Sequence, residues 1–322
     1  MFVVVQILHA LLCCSAITLN VLVMFLALFI TPVNLRAYSV LLFFLAMVEC
    51  IAGTTSFLLF QRVIPGGSSL ILVSSGPCTS VSTAFCHGTY AVFMATKALY
   101  MLTIGSCFVF RYVVLRREPP RAVIVAVMYI SSTVPTIVVY TFFGLAKSDD
   151  SLMWEIATNL FPNYDLTGET LYGVANIFDA RVITAILWVV GPSAPILTVV
   201  VIIRAKVVLK FLRDNVKHLS SSSKNVHKQI IMGLTYQSLL PGMFVISVSM
   251  YVLGQLDVVH HPVIEYAIHF AGDFQLVASP AFTIFYVAPY RRFVLKHICC
   301  GKYAKIRSMS QTTAISRVSN VH

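Results

Sequence analysis

The chain alternates between long apolar runs and short polar or basic connections, and the runs have the length of membrane-spanning helices. A helix rises ~1.5 Å per residue, so about 20 apolar residues cross a hydrocarbon layer of ~30 Å. The first run, Phe2 to Ile30, holds no charged residue and is closed by Thr31-Pro32. The second covers Ala37 to Phe60, after a short turn carrying Asn34 and Arg36. Gln61 to Pro77 reads as a loop, because Pro65-Gly-Gly67 and Gly76-Pro77 break helices or turn the chain. The third run begins at Cys78 or Cys86 and ends at Tyr112. There Arg111, Arg116, Arg117 and Arg121 mark an aqueous edge, and Pro119-Pro120 cannot continue a helix. The fourth, Ala122 to Leu145, contains Pro135, which membrane helices tolerate.

Lys147 to Arg181 is the longest polar connection, and its acids Asp149, Asp150, Glu155, Asp165, Glu169 and Asp179 suggest a compact acidic cap. A fifth run, Val182 to Ile203, precedes a strongly basic segment, Arg204 to Lys228, with a Ser220-Ser-Ser-Ser223 linker. The sixth, Gln229 to Gly254, is interrupted by Pro241-Gly242. The seventh, Val263 to Ala288, contains Pro280, and a basic tail follows. The fold class expected is an all-α membrane protein, a seven-transmembrane helix bundle over residues 1–293 with a cytoplasmic tail over 294–322. A cleaved signal peptide is the rival reading of the first run, suggested by Cys14-Ser-Ala16. No basic residue precedes that run, however, and it continues past the usual ~7–15 residues of such a segment.

Composition excludes a soluble domain: 58% of residues are hydrophobic and 11% charged, with a mean hydropathy of +0.86. The net charge of +11 does not point to nucleic acid, because the cations lie between apolar runs and not on one folded face. They orient the chain instead. Of the 23 Lys and Arg, only Arg62, Lys147 and Arg181 fall in one set of connections, while Lys97 lies within a run and the rest fall in the other set. Basic connections stay in the cytoplasm, so the N-terminus is expected outside and the C-terminus inside.

No nucleophile-base set is present, so an enzyme is not expected, and neither is a cofactor. His87, His260 and His261 lack a cysteine or carboxylate at ligand spacing, so no metal is expected. The ionisable groups within the runs are Glu49, Lys97, Glu265, His269 and Asp273. A lone charge in hydrocarbon costs a few kcal/mol or more, so each seeks a partner. Lys97 lies ~21 Å along its helix from Arg111 and Asp273 ~24 Å from Pro289, which predicts a Lys97–Asp273 ion pair lining a ligand cavity. Lys97 with Glu49 is one alternative, and a solvated cavity without direct contact is the other. Glu265, His269 and Asp273 recur every fourth residue and form one polar stripe. Cys78 and Cys86 are the outer candidates for a disulfide, with two free thiols as the other reading. Cys299-Cys300, flanked by Lys296 and Lys302, reads as an S-palmitoylation site or as solvated thiols.

Several segments together carry a family resemblance. These are Gly76-Pro77-Cys78, Phe110-Arg111-Tyr112-Val-Val-Leu115, Asn163-Tyr-Asp-Leu-Thr-Gly168, Leu234-Thr-Tyr-Gln-Ser-Leu-Leu-Pro241, Tyr251-x-Leu-Gly-Gln255 and Pro289-Tyr290-Arg291. With this layout, the chain resembles the nematode serpentine receptors of the delta class. The resemblance implies a chemosensory G-protein-coupled receptor of the plasma membrane of sensory neurons. Its implied partners are a small-molecule stimulus, a heterotrimeric G protein and the lipid bilayer, with no nucleic acid. Phe93, Lys97, His269 and Asp273 are the ligand-binding candidates. Arg111, Tyr112, Arg116, Lys206 and Lys210 are the candidates for G-protein coupling, and Glu49, Pro241 and Pro280 for conformational switching. Phe110 stands where rhodopsin-like receptors keep an acid beside the arginine, and the acidic connection lacks their outer-loop cysteine. A membrane transporter or ligand-gated channel is the alternative. It would show inverted repeats and more midplane ionisable groups.

Overall fold

The structure, a computed structural model, describes residues 2–32, 36–114, 122–164, 166, 168–192, 198, 201, 202, 240–258 and 261–297. Helix α1 (Phe2–Phe29) is apolar on all sides, yet only a narrow seam of it is covered. His9, Cys13, Ala16, Asn20, Val23 and Ala27 are buried, whereas Leu11, Val21 and Leu28 are half or more exposed. The buried positions recur at three and four residues, one stripe of a helix facing its neighbours while the rest meets lipid. Helix α2 (Arg36–Leu59) packs closely on that seam at Gly53, where an added Cβ would lie 3.4 Å from Ile17 and 3.7 Å from Ala16. Small residues allow such approach between membrane helices.

The segment after α2 differs from the loop expected there. Gln61–Gly66 (β1) and Ser69–Ser74 (β2) form an antiparallel hairpin, with Gln61 opposite Ser74 and Gly66 opposite Ser69. Gly67 turns it with a φ of +57°, a left-handed conformation that suits glycine. The prolines and glycines that suggest a loop are the edges of two β-rich segments, Val63-Ile64 and Leu70-Ile-Leu-Val73. The acidic connection supplies a third strand, β3 (Thr170–Val174), paired antiparallel with β2. Gly173 is required there, because its φ is +152° and a Cβ would fall 2.1 Å from the Leu70 carbonyl oxygen.

Side chains alternate across a strand, and both faces of this sheet are buried. Val63, Leu70, Leu72 and Tyr172 join the core of the helix bundle. Ile64, Ile71, Val73 and Leu171 form a second core with Met153 and Ala157 of helix α5 (Asp150–Leu160). The sheet and α5 therefore close one end of the bundle. Cys78, in a 3-10 turn at Pro77–Ser80, is bonded to Cys86 in the first turn of α3 (Thr83–Val114) at this same end. Lys147 and Thr83 both bind the Asp150 carboxylate, tying the start of α5 to α3.

Helix α4 (Ala122–Gly144) runs through Pro135 and packs on α3, α2 and α6 (Ala180–Val190). Asp179 caps α6 by accepting from the Arg181 amide, and Arg181 holds the Asp179 carboxyl down at about 2. Helix α7 (Leu240–Gln255) carries Pro241 and Gly242 in its first turn, where the described part of the sixth run begins. Helix α8 (Pro262–Tyr286) continues through Pro280, and α9 (Ala288–His297) follows it. Among the described residues, four helices are long and apolar enough to cross a membrane: Val3–Phe29, Arg36–Leu59, Thr83–Cys107 and Val123–Gly144.

Candidate functional site

Beneath the sheet lies a cavity with about 820 Å³ of space not filled by protein atoms, part of it open to solvent. Val63 and Leu70 roof it, and Tyr90, Phe93, Met94 and Lys97 of α3 form one wall. Phe143 and residues 186, 189 and 190 close it from α4 and α6, and α7 adds Phe244, Ser247, Val248 and Tyr251. Ile268, His269 and Gly272 of α8 complete it. The lining is mostly apolar and aromatic, with few groups able to orient a guest, which is the usual make-up of a small-molecule site.

Lys97 is the one ammonium of this wall. Its Nζ lies 4.9 Å from the centre of the Phe93 ring and 3.5 Å from the Gly272 carbonyl oxygen. Gly272 makes that reach possible, since a Cβ there would stand 3.1 Å from Nζ. The His269 Nδ1 is 3.0 Å from the Gln61 amide nitrogen, so Gln61 donates to it and the proton sits on Nε2. Among the described residues Nε2 has no hydrogen-bond partner, and the ring meets Phe93 edge-on at 5.6 Å.

The expected Lys97–Asp273 ion pair is not formed. Asp273 is buried but does not line the cavity. Its Oδ1 accepts from the Ser56 hydroxyl at 2.8 Å, and its Oδ2 lies 3.2 Å from the His9 Nδ1. That second approach is close enough for an ion pair but off the line of a hydrogen bond, and among the described residues Oδ2 accepts none. The reason is helical phase. One residue beyond Gly272, Asp273 is turned about 100° away from α3, toward α1 and α2. His9 was missed because a single imidazole in an apolar run gives no signal until the helix facing it is known.

The polar stripe on α8 takes its partners one by one. Glu265 binds Arg62 Nε at 2.5 Å and accepts from the Tyr164 hydroxyl at 2.7 Å, so it fastens the roof to α8. The Arg62 guanidinium also lies 4.9 Å over the Tyr164 ring. Burial and the neighbouring Glu265 carboxylate push the Tyr164 phenol up to about 12. His87 is not solvated as its position suggests: it is buried, with Nε2 3.0 Å from the Phe143 carbonyl oxygen. Glu49 is buried beside Asn20 and Ser279, with one carboxylate oxygen lacking a hydrogen bond among the described residues. Pro241 is buried in the first turn of α7, and Pro280 is buried within α8. Arg111 and Tyr112 lie in the last turn of α3. Arg116, Lys206, Lys210, Cys299 and Cys300 lie outside the described residues.

A helix bundle roofed by a short sheet, with an apolar cavity beneath the roof, has the architecture of the rhodopsin-like receptors. The crystal structure of squid rhodopsin matches with a TM-score of 0.51 over 92% of this chain and 86% of that one, at 11% identity, a likeness of fold. The chain belongs to the family described as "Serpentine type 7TM GPCR chemoreceptor Srd", which matches residues 5–296. It is therefore a seven-transmembrane, multi-pass member of a chemoreceptor family. Relatives in Caenorhabditis elegans include serpentine receptor class delta-18, 28% identical over 87% of this chain and 84% of its own length. Class delta-1 is also 28% identical, over 91% and 81%. Class delta-2 is 27% identical, over 90% and 82%.

Proposed function

We propose that the protein is a chemosensory receptor that takes a small molecule into the cavity beneath the sheet and activates a heterotrimeric G protein at the opposite end. The sheet end faces outward and the basic tail faces the cytoplasm, and the protein resides in the plasma membrane of sensory neuron cilia. What carries the reading is the cavity, a largely apolar space whose polar lining among the described residues includes Lys97, Ser247, His269 and the tyrosines Tyr90 and Tyr251. Such a wall suits a compact apolar molecule with one acceptor group, not a phosphate or a peptide. The excess of Lys and Arg in the connections opposite the sheet supports the orientation. Coupling would run through Arg111 and Tyr112, framed by Arg116, Lys206 and Lys210, with a swing of the sixth span opening the inner face.

The test is expression in cells with a second-messenger readout, screened against volatile and water-soluble compounds. An active compound should lose roughly tenfold or more in potency with Lys97→Met, a change of about 1.4 kcal/mol. It should lose its response with Arg111→Ala at equal surface level. Stimulus-gated ion flux in vesicles lacking any G protein would overturn the reading in favour of a channel or transporter.

A further inference from the structure

We propose that His9, Cys13 and Asp273 form a binding site for a divalent transition-metal ion of the zinc type, set between α1, α2 and α8 and behind the cavity wall. Each of the three is buried, with 3%, 1% and 1% of its surface exposed. Their donor atoms all lie within 4.8 Å of one another. None of them lines the cavity, so the site is distinct from the one proposed for the stimulus.

Local geometry brings the ligands together. His9 and Cys13 stand four residues apart on α1, hence on one face. Asp273 arrives from α8 across the seam. The His9 Nδ1 is 3.2 Å from the Asp273 Oδ2 and 3.9 Å from the Cys13 Sγ. Zinc holds nitrogen and oxygen at ~2.0–2.2 Å and thiolate at ~2.3 Å in a tetrahedron, whose edges are then roughly 3.4 Å for N···O and 3.6 Å for N···S. The N···O and N···S separations lie within about 0.3 Å of these edges, and the Cys13 sulfur and Asp273 oxygen, within 4.8 Å of each other, must draw together by up to roughly 1 Å.

Two further observations point to a ligand, not to packing alone. Asp273 Oδ2 is buried, accepts no hydrogen bond from the described residues, and lies 3.2 Å from the His9 ring nitrogen that would coordinate beside it. An unsatisfied carboxylate oxygen is costly to bury, and a cation would satisfy it. The outer partners that orient metal ligands are also in place. The His9 Nε2 is 3.0 Å from the Ser56 carbonyl oxygen, so Nε2 donates and Nδ1 is the free lone pair. The Ser56 hydroxyl donates to Asp273 Oδ1 at 2.8 Å, leaving Oδ2 for the ion. One residue of α2 thus sets both ligands, the arrangement by which second partners fix tautomer and orientation. Thiolate, imidazole and carboxylate together suit a borderline-soft ion, not calcium or magnesium. On coordination the Cys13 thiol loses its proton to water and the sulfur lone pair bonds the metal, with no redox change.

The experiment uses the full-length receptor in lipid nanodiscs, stripped with chelator, with Cys299 and Cys300 replaced by serine so that this adjacent pair cannot take metal. Added Co²⁺ should give thiolate-to-metal charge-transfer absorption and the strong visible bands of a tetrahedral site, saturating at one ion per receptor and displaced by Zn²⁺. Cys13→Ala should abolish the charge-transfer band, whereas Cys14→Ala, on the exposed side of α1, should keep it. Ser56→Ala should keep the band but weaken binding roughly 10–100-fold. Zinc-edge X-ray absorption on the unsubstituted Cys13 protein should show one sulfur with nitrogen and oxygen neighbours, a readout that stands even if the Cys13 variant fails to fold. Absence of the band at saturating Co²⁺, its survival in Cys13→Ala, or a sulfur-free zinc shell would each overturn the proposal.

Discussion

At the scale of single residues, the buried charges are settled by close partners and not by depth in the membrane. Asp273 satisfies one oxygen through Ser56 and faces His9 with the other, while Lys97 rests on the Phe93 ring and the Gly272 carbonyl. Truncating a side chain that faces a buried carboxylate leaves that oxygen without its neighbour, at a cost of about 1–3 kcal/mol. His9→Ala should therefore lower the thermal midpoint of the purified receptor by several degrees and reduce its surface level. The double exchange Lys97→Asp with Asp273→Lys should restore neither stability nor surface level above either single change, as the two groups are not partners. Coupling between the two positions in such a cycle would instead put their side chains in contact. The residue-level signal legible beforehand was that Lys97 and Asp273 are costly in hydrocarbon. The partner was not legible, since His9 lies more than 260 positions away in the chain.

At the scale of elements, the roof is built from pieces that are too short to stand alone. A two-stranded hairpin is marginal in water, and β1-β2 gains a third strand, a helix on one face and the bundle on the other. Arg62–Glu265 then locks β1 to α8, with both side chains nearly buried at 12% and 3% exposure. Hydrogen bonds to charged groups contribute about 1.5–3 kcal/mol each. Glu265→Gln should thus loosen the roof and not unfold the bundle. Amides of β1 and β2 should exchange with deuterium faster by one to two orders of magnitude, and those of α3 should be unchanged. Equal exchange in β1 would show that the latch does not hold the sheet. The strands themselves were readable in Ser69-Leu-Ile-Leu-Val-Ser74, flanked by Gly67 and Gly76. Reading the glycines and prolines as a loop gave the punctuation more weight than the apolar segment between them.

At the scale of the whole molecule, the roof closes one end of the bundle, and α9, the last described helix, packs through Tyr290 on Leu26 and Leu42 of α1 and α2. The proposed orientation puts the Cys78–Cys86 bond on the oxidising side and the basic connections on the cytoplasmic side. An epitope placed after His322 should be stained in intact cells expressing the receptor only once their membrane is permeabilised. One placed in the hairpin turn at Ser68 should be stained without permeabilisation. The reverse pattern would invert the orientation and, with it, the side from which a stimulus enters.

The amino-acid sequence by itself determined the membrane spans, the family and the ionisable residues that must be accommodated. Hydropathy over some twenty residues is a local sum, and a charge in hydrocarbon is costly wherever it lies. Only the tertiary structure decided that Asp273 faces His9 and not Lys97, that Gln61 orients His269, and that two distant segments join in one sheet. Partner choice depends on helix phase and on which helix lies opposite. One step along α8, from Gly272 to Asp273, turns a side chain from the α3 wall to the α1 seam. No pattern within a single run specifies which neighbour waits there.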